Sequence, residues 1–94
     1  MTSKQRAFLK KEASKIEPIF QVGKNGIDSN LLKGLDEALT ARELIKITVH
    51  ETSEYSSKEL LQILKEELKA EPIQAIGRKA VLYRLNPKIG KYNI

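Results

Sequence analysis

Two glycines bracketing a cation and an amide, Gly23-Lys24-Asn25-Gly26, are the residues of this chain best suited to a specific chemical task. They follow a short apolar run that reads as a strand, and they precede Asp28, which reads as the N-cap of a helix. Backbone N–H groups held between a strand end and a positive helix terminus suit a phosphate. The glycines let a sugar-phosphate backbone approach closely, while Lys24 and Asn25 can contact phosphate and sugar. Asn25-Gly26 is equally a common tight turn, and four residues alone do not choose between these readings. The three-glycine dinucleotide fingerprint and the Gly-Lys-Ser/Thr ending of a P-loop are absent, so nucleotide hydrolysis is not indicated.

The remaining chemistry is cationic. The net charge of +5 is unevenly spread: residues 1–26 carry +4, residues 27–76 carry −4 and residues 77–94 carry +5. A basic face attracts a polyanion, nucleic acid being the common one, if the fold brings the two ends together. The first segment supplies Lys4, Arg6, Lys10, Lys11 and Lys15; the last supplies Arg78 and Lys79 at a turn and Arg84 on a strand. G-x-x-G loops clamp the nucleotide backbone in KH domains.

Other reactive types are sparse. There is no cysteine, hence no disulfide, thiolate metal site or thiol nucleophile. His50 is the only histidine and has no metal-ligand pattern around it. Glu59, Glu66 and Glu67 sit among Lys58, Lys65 and Lys69 and read as a solvated helical face. The tyrosines and phenylalanines total five, too few for a base-stacking platform. No metal, cofactor, small-molecule substrate or catalysis is expected.

The positioning elements follow from capping and periodicity. Thr2 or Ser3 starts a first helix that runs to about Lys15, with Phe8, Leu9, Ala13 and Ile16 on one apolar arc. Pro18–Val22 is a short strand. The helix capped by Asp28 buries Leu31, Leu35, Ala38 and Leu39. Leu44–His50 alternates, so Ile45, Ile47 and Val49 face the core and Lys46, Thr48 and His50 face outward. Ser56-Ser57-Lys58-Glu59 is a capping box opening a third helix with Leu60, Leu61, Leu64 and Leu68 inside, ended by Pro72. Ile73–Ile76 and Ala80–Leu85 make a hairpin whose tip is Gly77-Arg78-Lys79.

The expected architecture is therefore α/β: one domain over residues 1–86, in the order α-β-α-β-α-β-β, with a mixed four-stranded sheet covered by helices in two or three layers. Residues 87–94 read as a short, basic, mobile tail. No leader-like apolar segment and no apolar run of membrane-spanning length is evident, so a cytoplasmic protein beginning at Met1 is expected, with no membrane association.

Four segments together resemble a known family: Ser3–Lys10, Pro18–Ile27, Glu43–Ile47 and Ile76–Arg84. Their order and spacing are similar to those of the YhbY-like proteins, the bacterial stand-alone form of the CRM (chloroplast RNA splicing and ribosome maturation) domain. The resemblance implies a fold similar to the C-terminal domain of translation initiation factor three. It also implies RNA binding, with rRNA in precursors of the large ribosomal subunit as partner; a monomer is expected. The family's loop falls on Gly23, Lys24, Asn25 and Gly26, and its basic helix on Lys4, Arg6, Lys10, Lys11 and Lys15. Ser14-Lys15-Ile16-Glu17 departs from the histidine-containing stretch expected before the proline, and Glu17 weakens the positive field there. The alternative is a protein-interaction module docking on ribosomal or RNA-processing proteins through the acidic middle of the chain.

Overall fold

The computed structural model describes residues 1–92. Seven elements follow in order: α1 (Ser3–Ala13), β1 (Phe20–Val22), α2 (Ser29–Arg42), β2 (Leu44–Val49), α3 (Ser57–Leu68), β3 (Glu71–Ile76) and β4 (Lys79–Tyr83). The strand order is β1-β2-β4-β3, with β1 parallel to β2 and the other pairs antiparallel. The α-β-α-β-α-β-β order and the mixed sheet expected from the sequence are both present.

Three side-chain caps start the helices. Thr2 accepts from the Gln5 N–H and Gln5 accepts from the Thr2 N–H, a reciprocal box. Asp28 accepts from the Leu31 N–H at 2.8 Å. Ser56 and Glu59 form the second box, and the bonds from Ser56 hold the Glu59 carboxyl below the usual carboxylate range. A lowered folded-state pKa means that this cap contributes fully above that range and fades as pH falls through it.

The sheet is sandwiched. On one face α2 and α3 press Leu35, Leu39, Leu60 and Leu64 against Ile45, Ile47, Ala80 and Leu82. On the other, α1 sets Leu9 and Ala13 against Leu44, Ile73, Val81 and Tyr83. Each strand thus sends alternate side chains into two apolar layers, which is why Leu44 is buried although it falls out of phase with Ile45, Ile47 and Val49.

Several sequence expectations need correction. Helix α1 stops at Ala13 rather than near Lys15. Phe8 is 39% exposed, because the narrow contact of one short helix on a sheet takes Leu9 and Ala13 and leaves the arc's edge outside. Pro72 does not end α3: Lys69 does, turning left-handed at φ 54° while the Ala70 N–H donates back to Lys65 O at 3.3 Å. Pro72 instead lies in β3, an edge strand, where a missing N–H is tolerated. A bulge places Ile73 and Gln74 together opposite Val81. Strand β4 ends at Tyr83, so Arg84 lies beyond it and Leu85 is exposed.

One end of the sheet is fastened by two charged side chains. Glu43, between α2 and β2, is fully buried and has φ 66°. Its carboxylate accepts from the Asn86 N–H at 2.8 Å and the Lys91 N–H at 2.5 Å, and its carbonyl accepts from the Arg84 N–H at 2.8 Å. These bonds turn the segment after β4 back over the sheet. Residues 87–92 of the expected tail are placed there, with Tyr92 buried edge-on against Tyr83 at a centroid distance of 6.3 Å; the last two tail residues lie outside the described residues. Burial, followed by the nearby Glu43 charge, raises the Tyr83 phenol above its ordinary range. Arg84 binds the Asp36 carboxylate at 2.8 Å, Leu68 O at 2.8 Å and Thr40 Oγ1 at 3.0 Å, joining α2, α3 and β4.

Replacing Glu43 by Gln turns one acceptor oxygen into a donor facing a backbone N–H, and is expected to cost about 2–3 kcal/mol in urea unfolding. Arg84→Ala should cost about 1–2 kcal/mol in the same measurement, because Leu68 O loses its partner.

Candidate nucleic-acid interface

The Gly23–Gly26 segment is a closed turn: the Gly26 N–H donates to Gly23 O at 3.0 Å, and Lys24 and Asn25 form its exposed centre. Neither central residue has positive φ, whereas Gly26 does, at 67°. This suits a type I turn, with the glycine needed for its backbone conformation, since a Cβ there would meet nothing within 4 Å. A Cβ on Gly23 would come within 3.2 Å of Thr52 Oγ1, so the turn rests on the loop after β2. The helix terminus behind it is already capped by the Asp28 carboxylate. The groups available to a phosphate are thus Lys24, Asn25 and the turn's own backbone rather than the dipole end of α2.

The hairpin tip stands at the same end of the sheet. Ile76 pairs with Lys79, leaving Gly77 and Arg78 as a two-residue connection, with Gly77 at φ 55° in the first central position. That is the glycine position of a type II′ turn. Lys79 itself belongs to β4, and its Nζ donates to Thr48 Oγ1 at 3.2 Å. Val49 N–H donates to Arg78 O at 2.7 Å, which ties the tip to β2 while the Arg78 side chain stays exposed.

Between the two turns lies the His50–Tyr55 loop. The Thr52 N–H donates to His50 Nδ1 at 3.2 Å, so that nitrogen is an acceptor and the histidine orders its own loop. A cavity of about 260 Å³, lined by His50, Glu51, Tyr55, Ser57, Gly77 and Arg78 among others, opens between this loop and the tip. Among the described residues no group of three His, Cys, Asp or Glu side chains could hold a metal, and no helix is long and apolar enough to cross a membrane.

The other nominated cations divide by their contacts. Lys4, Lys10 and Lys11 are exposed along α1 and form no ion pair among the described residues. Lys15 pairs with Glu12 at 2.9 Å. Arg6 donates to Pro72 O and lies 3.8 Å from Glu71, fastening α1 to β3. Arg84 sits at the opposite end of the sheet from both turns, within the bonds to Asp36 and Leu68. The structure therefore brings Lys24, Asn25, Arg78 and Lys79 to one end, spreads the α1 lysines over one face, and places Arg6 and Arg84 in structural contacts. Lys46 was not nominated from the sequence; it is half-buried on the α1 side of β2 with no ion pair among the described residues. The outward alternation of Lys46, Thr48 and His50 was the signal for it.

Comparison with known proteins gives a consistent result. The profile described as CRS1 / YhbY (CRM) domain matches residues 1–84. "Probable RNA-binding protein YqeI" of Bacillus subtilis is 40% identical over 84 residues, spanning 89% of this chain and 88% of that one. The "RNA-binding protein" of Haemophilus influenzae is 33% identical over 84 residues, spanning 89% and 85%. The solution structure of the protein SAV1595 from Staphylococcus aureus is similar with a TM-score of 0.75 at 40% identity, covering 92% of this chain and 90% of that one. With the profile running from α1 through the end of β4 and the fold shared as well, the chain belongs to the CRS1 / YhbY (CRM) domain family.

Proposed function

We propose that this chain is a non-catalytic RNA-binding domain that grips structured RNA by its sugar-phosphate backbone, acting on rRNA in precursors of the large ribosomal subunit. The observation that carries this reading is that the Gly23–Gly26 turn and the Gly77-Arg78 tip share one end of the sheet. Lys24 and Arg78 are exposed there and form no ion pair among the described residues. Cations left unpaired on a surface retain their full attraction for phosphate, and each phosphate they neutralise releases counterions.

The layering supports the same reading. Helix α1 carries Lys4, Arg6, Lys10 and Lys11 against the single acid Glu12, whereas α3, on the other face, carries Lys58 and Lys65 against Glu59, Glu66 and Glu67. The sheet thus separates a basic face from one that is slightly acidic. The relatives named as RNA-binding proteins point to RNA as the polyanion. The ribosomal assignment rests on the family resemblance of the four segments quoted above.

Binding to a folded large-subunit rRNA fragment, followed by fluorescence anisotropy, should weaken linearly in log–log form with salt. If Lys4, Lys10, Lys11, Lys24 and Arg78 all engage, the slope is about −3.5 to −4.5. The double variant Lys24→Asp, Asn25→Asp should lose at least about 1.4 kcal/mol, a tenfold drop, with an unchanged unfolding midpoint. Wild-type affinity in that variant would refute the assignment of the turn.

A further inference from the structure

Helix α1 covers only half of its face of the sheet. It runs from the β3 edge, where Arg6 donates to Pro72 O, toward the start of β2, where Leu9 and Ala13 cluster with Leu44. A helix lying across strands covers a band about 10–12 Å wide, whereas a six-residue strand is about 20 Å long. The covered band contains Leu44, Tyr83, Ile73 and Val81, and Lys46, paired with Val81, stands at its border. The other half of the face is the half nearer the two turns.

Register defines what lies there. Gln21 pairs with Thr48, Thr48 with Lys79, and Lys79 with Ile76, so one row crosses all four strands. Alternation puts the row on the α1 side, because Val22, Ile47, Val49 and Ala80 belong to the core beneath α2 and α3. Gln21 is exposed, Ile76 is 62% exposed, and Thr48 and Lys79 are half-buried. Lys46 stands on the same side two residues before Thr48. The strip holds two ammonium groups, neither in an ion pair among the described residues, no carboxylate, and an exposed isoleucine at its far edge.

We infer that this open strip of sheet is a track for a single-stranded segment of RNA leaving the Gly23–Gly26 turn, with Lys46 and Lys79 beneath its phosphates and Ile76 against a base. The inference rests on the function proposed above. The strip starts on β1, whose next residues are the turn itself, and ends at β3, whose next residues are the Gly77-Arg78 tip. Three inter-strand spacings make it about 14 Å long. A band of sheet left beside one helix is narrower than an A-form duplex, and an apolar side chain finds a base face only where the base is unpaired and unstacked. Charge complementarity excludes an apolar protein helix as the occupant, since it would bury Lys46 and Lys79 without a partner.

The test is anisotropy with a short oligouridylate, which has no folded structure, beside the folded rRNA fragment. Lys46→Gln removes the charge but keeps a polar side chain one bond shorter, and should weaken oligouridylate binding while reducing the magnitude of the salt slope by about 0.7. Ile76→Ser removes an exposed apolar group and should weaken it roughly threefold with no change in slope. Lys88→Gln, an exposed cation on the far side of β4's exit, should leave both unchanged. Unfolding midpoints in urea confirm that each variant is folded. Wild-type binding by both Lys46→Gln and Ile76→Ser, with binding lost in the Lys24→Asp, Asn25→Asp variant, overturns the track and leaves the turn standing. The reverse pattern overturns the turn and leaves the track. A wild-type protein that binds the folded fragment and ignores oligouridylate also overturns the track.

Discussion

The pairing of β2 sets the geometry on which everything else depends. Because β2 runs parallel to β1, their C-terminal ends coincide, and a crossover through α2 is obligatory. Because β4 is antiparallel to β2, the hairpin that opens β4 must lie at that same end. The turn after β1, the loop after β2 and the tip before β4 are thus gathered by backbone hydrogen bonding alone, whatever their side chains. Segments more than fifty residues apart in sequence come to share one rim by this means.

The opposite rim does a different job. There Glu43 takes three backbone N–H groups from the segment after β4, two on its carboxylate and one on its carbonyl, and Arg84 binds α2 and α3. Burying a carboxylate is tolerable only with such donors, and holding a non-glycine residue at φ 66° requires a surround that over-determines it. Stability is concentrated at this end. The turns at the other end are held through their backbones, Gly26 N–H to Gly23 O, Val49 N–H to Arg78 O and Ser57 Oγ to Gly77 O, so the side chains of Lys24 and Arg78 are left to face solvent.

This division explains what the sequence disclosed. Local signals were legible: the caps at Thr2, Asp28 and Ser56, the alternation through Ile45, Ile47 and Val49, and the leucine stripe of α3 each depend on neighbours within a few residues. Long-range commitments were not. Arg84 and Arg78 are chemically alike and six residues apart, yet one meets Asp36 across 48 positions of sequence and the other meets solvent. Glu43 looks like any acid at a helix end until Asn86 and Lys91 reach it. Pro72 carries a helix-stop signal, but Lys69 has already turned the chain by adopting a left-handed conformation that nothing in its side chain announces. The candidate turn was visible as a motif, while its alignment with the hairpin tip required the sheet.

The half-open face follows from the same economy of elements. Two helices, of 14 and 12 residues, cover one side of the sheet, and a single helix of 11 residues lies on the other. A fourth layer element could not simply be added over the remaining strip, because Lys46 and Lys79 would be taken out of water and an ammonium without a counter-charge is far costlier to bury than the apolar contacts would return. Thr48 accepting from Lys79 satisfies only one of the three donors on that ammonium. Whatever covers the strip must therefore bring negative charge with it, and four of the chain's own acids are committed elsewhere on the surface: Glu12 to Lys15, Glu71 beside Arg6, Asp36 to Arg84 and Glu59 to its cap. The sequence that packs one face as a closed core keeps the other receptive by the placement of two lysines on alternate positions of adjacent strands.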